Sequence, residues 1–161
     1  FGSRSIASSA PNSSGASFLL DLSHARSPPP VMAMELNPGF EQIGNQFAAH
    51  YYQVFDSNRA GLAPLYCETS LLTFEGEQFQ GATNITQKIS SLPFTKVKHE
   101  IVKCDAQPVP GSQNVVIFVT GTLLVNDGAN PLKFAQTFQL AQNPSTGGYV
   151  CVNDMFRINA S

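Results

Sequence analysis

Residues 114–142 read NVVIFVTGTLLVNDGANPLKFAQTFQLAQ, and the fold turns on this stretch. Two long strand-like runs, 114–125 and 132–142, stand on either side of Asn126-Asp127-Gly128, residues that accept the left-handed backbone of a tight turn. Upstream, residues 95–105 alternate with a period of two, placing Val97, His99 and Ile101 on one face and Lys98, Glu100 and Val102 on the other. Downstream, 149–158 forms a further run. Pro108-Val109-Pro110-Gly111 and Asn143-Pro144-Ser145-Thr146-Gly147-Gly148 supply the remaining turns, so an antiparallel meander is the natural connection.

Ahead of these strands the period changes. Asn37-Pro38 is a good helix entry, an N-cap oxygen followed by a proline whose missing N–H is not needed in the first turn. Phe40, Ile43, Phe47, Tyr51 and Val54 then recur at three and four residues, predicting a helix that ends near Asp56. Ser57 or Asn58 can cap a shorter second helix with Leu62, Leu65 and Tyr66 inward and Pro64 in its first turns. Leu71-Leu72-Thr73-Phe74 and Gln78-Phe79 read as short strands turning at Glu75-Gly76-Glu77. Thr83 or Asn84 opens a third helix, with Ile85, Ile89 and Leu92 on one side and Pro93 as its stop. Helices grouped before a run of strands predict an α+β fold in which a bent antiparallel sheet wraps the N-terminal helices as a cone. The open end of such a cone is a pocket, and its outer face can pair with a second subunit.

Composition narrows the function. The 161 residues suit one domain, and 42% hydrophobic content is enough for a core. Nine basic against eleven acidic residues give a net charge of −2, with no basic cluster to meet phosphates, so nucleic acid is not the expected partner. No run approaches the roughly 18 consecutive apolar residues of a membrane span. Charged residues make up 12%, against about 25% in average domains, while Phe occurs twelve times and Trp never. A chain of that kind can present an unusually apolar partner surface. Cys67, Cys104 and Cys151 lack C-x-x-C spacing, and His24, His50 and His99 are scattered, so reduced thiols, no metal and no cofactor are expected.

Residues 1–33 differ in kind, being Ser-rich, closing on Pro28-Pro29-Pro30 and carrying only Arg4, Asp21 and Arg26 as charges. Such a segment buries too little to order itself. A disordered tail or leader over 1–33 and a folded domain over 34–161 are therefore expected; Phe1 in place of Met, with Met32 and Met34 near the first helix, fits leader sequence. An organellar transit peptide around Phe18-Leu19-Leu20 is the less favoured alternative.

The motifs carry a resemblance. Glu41-Gln42-Ile43-Gly44, His50-Tyr51-Tyr52-Gln53 with Phe55-Asp56 and Arg59, Leu72-Thr73-Phe74-Glu75-Gly76 and Gln78-Phe79-Gln80-Gly81 stand in order. Ser90-Ser91-Leu92-Pro93-Phe94, His99, Asp105 with Gln107-Pro108, and Asn153-Asp154-Met155-Phe156-Arg157 follow. Over about residues 37–158 this resembles the nuclear transport factor 2 family. The resemblance implies a non-enzymatic homodimer that carries Ran-GDP into the nucleus, binds FG-repeat nucleoporins, and is found in cytoplasm and nucleus with enrichment at the pore. An aromatic of Ran would enter the cone. The positions matching the family's cavity are Phe74, Leu92, Pro93, Val97, Leu123, Val125, Phe134 and Phe156, with Glu75 as the rim carboxylate and Phe40 at the nucleoporin site. The turn at 126–130 departs from animal members, being two residues longer and having Asn130 where a second acid is usual, so Asp127 is the remaining candidate. Phe40 and Phe74 stand where those members have Trp, retaining a planar apolar contact without the indole N–H.

Each assignment has a plainer competitor. Phe40 could simply pack in the core, Glu75 could be a solvated turn residue, and the cavity positions would be core in any such fold. His99 is expected to make a structural hydrogen bond and Asp154 to be paired structurally. The runner-up function is an enzyme of the ketosteroid isomerase or dehydratase type using Asp154, His99 and Tyr52. The cavity positions named are almost wholly apolar, which favours the carrier.

Overall fold

The computed structural model describes residues 34–159, so the expected tail over 1–33 lies outside the described residues. Helix α1 (Phe40–Ser57) leads into a 3₁₀ turn (Arg59–Leu65), then strands β1 (Tyr66–Phe74) and β2 (Glu77–Gln80), helix α2 (Ala82–Ser90), and four long strands. These are β3 (Val97–Pro108), β4 (Val115–Val125), β5 (Leu132–Gln142) and β6 (Tyr149–Asn159). They form one six-stranded sheet in the order β2-β1-β6-β5-β4-β3. The four long strands make the expected antiparallel meander. The sheet as a whole is mixed, however, because β1 lies parallel to β6. The helical segment preceding β1 brings that strand back beside the end of the meander, a long-range pairing that no local pattern encodes.

Both helices pack on one face of the sheet, where Phe47, Tyr51, Tyr52, Phe55, Leu62, Ile85 and Ile89 meet Val115, Ile117, Val119, Phe138 and Leu140. At roughly 1.5–3 kcal/mol for each fully buried large apolar side chain, this face dominates folding. The buried stripe of α1 is rotated from the one the spacing predicts: Gly44, Ala48, Tyr52 and Phe55 are buried, while Val54 is only half-buried. Gly44 permits this, since a Cβ there would lie 2.6 Å from the Cβ of Ala106 on β3.

Alternation along β3 and β6 is interrupted by one-residue bulges. On β3 the register slips between Ile101 and Lys103, so Val97 and His99 point inward but Cys104 and Ala106 take over that face beyond Val102. Ile101 is consequently exposed, contrary to the plain alternation. On β6 the slip falls at Val152 and turns both Cys151 and Asp154 inward. Bulges bend their strands and raise local twist, which is how this sheet curves around its helices. Gly121, opposite Ile101, is where β4 accommodates the bend: a Cβ there would collide with the Glu100 carbonyl and stand 2.8 Å from Cε1 of Phe134.

Helix entry also differs from expectation. Asn37 is not the cap; Gly39 is, and Asn37 is a buried strut at the closed end of the cone. Its Oδ1 accepts from Gly39 N, and its Nδ2 donates to the Gln113 carbonyl at 2.9 Å and to Tyr149 Oη at 2.8 Å. Tyr66, expected to face inward from the short helix, is buried but belongs to β1, of which it is the first residue.

Candidate functional site

The open end of the cone holds an apolar cavity of about 260 Å³. Phe74, Leu92, Pro93, Val97, Leu123, Val125 and Phe156 line it, seven of the eight cavity positions expected from sequence. Each comes from a different part of the curved sheet or from the loop after α2, so curvature brings them together. Phe134 does not reach the lining. It is buried behind, stacked 5.7 Å from Phe156, which in turn stacks 4.7 Å from Phe74 in nearly parallel planes. These three rings make a continuous aromatic wall.

Five further residues line the cavity: Phe55, Phe94, His99, Leu132 and Ile158. Ile158 could have been found, since it shares the inward parity of Phe156 on β6. Phe55 was hidden by the rotated helix stripe. His99 is almost wholly buried; its Nδ1 lies 2.6 Å from Asp56 Oδ1, and its backbone N–H donates to Asp56 Oδ2 at 2.8 Å. Tyr52, Phe55 and Phe134 surround the ring at 4.9–5.3 Å. The expected structural hydrogen bond of His99 is therefore made within the chain, at the end of α1.

The two acids expected at the rim follow lining residues in the chain. Glu75 occupies the β1–β2 turn with φ of 52°, next to Phe74. Its backbone N–H donates to the Phe156 carbonyl at 3.2 Å, and its Oε1 accepts from Ile158 N at 2.5 Å. The carboxylate is exposed yet fixed against β6, between two residues of the lining. Asp127 lies on the β4–β5 turn after Val125, outside the lining, and pairs with Lys96 at 2.9 Å. Both partners of that pair are mostly exposed, so it contributes little stability, but it does place a positive charge beside the acid. Asn126, with φ of 51°, accepts through Oδ1 from the backbone N–H groups of Thr95 and Lys96. It fastens the loop before β3 to the turn.

The enzyme candidates are separated. Asp154 is fully buried and does not line the cavity. Its Oδ2 accepts from Tyr66 Oη at 2.7 Å and Tyr51 Oη at 3.3 Å, and its Oδ1 from Gln136 Nε2 at 2.7 Å. Burial raises its pKa to about 6, against the opposing pull of those three hydrogen bonds. Tyr52 donates to Gln136 Oε1 at 2.8 Å, and burial pushes its hydroxyl well up. His99 alone of the three candidates meets the cavity. Among the described residues no cluster of His, Cys, Asp and Glu has the geometry to hold a metal ion.

Phe40 is the first residue of α1, half-buried and packed against the edge of the core. The outer face of the sheet carries Phe118, Thr137 and Met155 in one cross-strand row, with Leu71 nearby; Leu71, Phe118 and Met155 are all exposed.

Residues 43–158 match the model of the nuclear transport factor 2 domain. Among curated relatives, nuclear transport factor 2 of Emericella nidulans is 48% identical over 119 residues, spanning 74% of this chain and 94% of the relative. That of Neurospora crassa is 50% identical over the same length and shares. Among solved structures, nuclear transport factor 2 from Cryptosporidium parvum superimposes with a TM-score of 0.73 at 48% identity, covering 78% of this chain and 99% of that one. A putative scytalone dehydratase from Novosphingobium aromaticivorans shares the fold alone, with a TM-score of 0.61 at 10% identity, over 74% of this chain and 84% of that one.

Proposed function

This chain belongs to the nuclear transport factor 2 family, and from that premise we propose that its domain, over 34–161, is a nucleocytoplasmic carrier for Ran-GDP. The observation that carries the proposal is the cavity. Apart from the buried His99 ring its lining is apolar, walled by stacked aromatics, and flanked by a carboxylate whose position β6 holds. A cavity of about 150 Å³ suffices for a benzene ring, so this one has room for an aromatic side chain of the partner. Burying such a ring contributes roughly 1.5–3 kcal/mol, while Glu75 selects orientation by attracting a basic residue beside the anchor.

Phe40 is assigned to FG-repeat nucleoporins, because a half-buried ring at the start of α1 can pack against an incoming phenylalanine. The outer sheet face is assigned to the homodimer, with Phe118 and Met155 at its centre. The protein then moves between cytoplasm and nucleus through pores, where it is enriched, and supports protein import by returning Ran. No catalytic step is assigned, since the acid a dehydratase would need is locked among Tyr51, Tyr66 and Gln136 away from the cavity.

Immobilised Ran loaded with GDP or with GTP tests this directly. The GDP form should retain the protein and the GTP form should not. Equal retention by both, or none by either, refutes the proposal.

A further inference from the structure

One wall of the cavity, Leu92-Pro93-Phe94, has no regular secondary structure and no neighbouring strand to fix it. Besides a backbone bond from Phe94 N to the Leu92 carbonyl at 2.8 Å and one from Asn126 N to the Lys96 carbonyl at 3.0 Å, two side chains hold it. At its far end Asn126 holds Thr95 and Lys96. At its near end stands Arg59, the first residue of the 3₁₀ turn, which does not itself line the cavity. Nη2 of Arg59 donates to the Phe94 carbonyl at 2.5 Å, and Nη1 reaches the Leu92 carbonyl at 3.5 Å. The guanidinium carbon also lies 4.4 Å from the centre of the Phe94 ring and 6.0 Å from that of Phe55.

We propose that Arg59 is a positioning residue for aromatic recognition: its planar guanidinium braces the loop from behind and thereby sets the width of the cavity mouth. This deepens the reading of the cavity as a seat for a partner's aromatic side chain, and rests on it. The guanidinium suits the task because it is a rigid fork that reaches two carbonyls on either side of Pro93 while stacking on an aromatic face. A lysine ammonium is a point charge on a flexible stem and cannot do all three at once. With Arg59 gone, Asn126 still anchors residues 95 and 96, so disorder is confined to Leu92–Phe94 and the core beneath is untouched.

The test uses the full chain, methyl-labelled at Ile, Leu and Val, and toluene as the probe of the cavity. In the parent, toluene should shift the methyls of Leu92, Val97, Leu123 and Val125 while leaving those of Ile117 and Leu140 in place. Arg59→Lys should weaken that uptake about tenfold, the worth of one charge-assisted hydrogen bond, with a melting temperature close to the parent's. Arg59→Ala should do at least the same. Uptake by Arg59→Lys within about twofold of the parent overturns the inference. So does a general collapse of methyl dispersion in that variant, which would make Arg59 a residue of the fold and not of the mouth. A parent that takes up toluene but ignores Ran-GDP refutes the choice of partner and leaves the role of Arg59 standing; a parent that excludes toluene overturns both.

Discussion

Asp154 makes the pH dependence of stability a quantitative test of the buried network. Its carboxyl has a pKa of about 6 in the folded protein, against 3.8 for the ordinary group, because burial penalises the charged form more than Tyr66, Tyr51 and Gln136 favour it. A folded-state value above the unfolded one means that the folded state holds the proton more tightly. The stabilising effect is therefore complete below about pH 4 and is lost as pH rises toward 6 and beyond. Two pH units at about 1.36 kcal/mol each come to roughly 3 kcal/mol. Asp154→Asn keeps an acceptor for Gln136 and places a donor toward the tyrosine hydroxyls, but removes the titration. Urea unfolding of both proteins at fixed concentration, from pH 4 to pH 7.5, measures the difference and cancels every other acid they share. The Asn variant should gain about 3 kcal/mol on the parent across that range, most of it between pH 4 and 6. A difference that stays flat to within about 0.5 kcal/mol would show that the network, and not burial, controls Asp154.

The remaining expectations concern binding. Glu75→Lys puts like charge against a basic partner and should weaken Ran-GDP binding about tenfold or more while leaving FG-peptide binding intact, as read by surface plasmon resonance; Glu75→Gln, which still accepts from Ile158, separates charge from structure. Phe40→Ala should reverse the pattern, losing about tenfold toward FG peptides from one buried ring contact and nothing toward Ran-GDP. Phe118→Lys, in the middle of the outer face, should convert a dimer to a folded monomer in sedimentation velocity, and a persisting dimer would place the interface elsewhere. Lys96→Ala frees Asp127 and should tighten Ran-GDP binding by about two- to fivefold, given that an exposed pair is worth at most ~1 kcal/mol, with the gain disappearing in 1 M salt.

Strand positions were largely legible because the four long strands carry period-two patterns bounded by strong turn residues. Their boundaries in the structure fall within three residues of those read from sequence. What the pattern could not carry was anything set by a bulge or by tertiary pairing. Plain alternation puts Ile101 with His99, and only the slip opposite Gly121 sends it outward. The parallel β1–β6 pair leaves no local trace either. The cavity was legible through the family's motifs; Phe134 missed the lining because the stacked ring of Phe156 stands in front of it. Arg59 and Asn126 could not be read as parts of the site, since each acts through backbone atoms some thirty residues away.

The β4–β5 turn couples loop order to charge pairing. In it Asn126 and Asp127 both adopt left-handed backbone, with φ of 51° and 56°. In that geometry the Asn126 side chain turns back on Thr95 and Lys96, and the same approach carries the Lys96 ammonium to Asp127. The turn that fastens the loop thus also pairs its acid with a lysine. Glu75 has the opposite arrangement: it is fixed by an uncharged backbone N–H, which orients the carboxylate without cancelling its charge. On the carrier reading proposed above, electrostatic selection at this mouth would fall chiefly to Glu75, and affinity to an apolar wall whose one irregular segment Arg59 contacts. Charge and cavity are held by different elements, so substitutions at Glu75 should act on salt dependence and association rate, and substitutions behind the wall on dissociation rate.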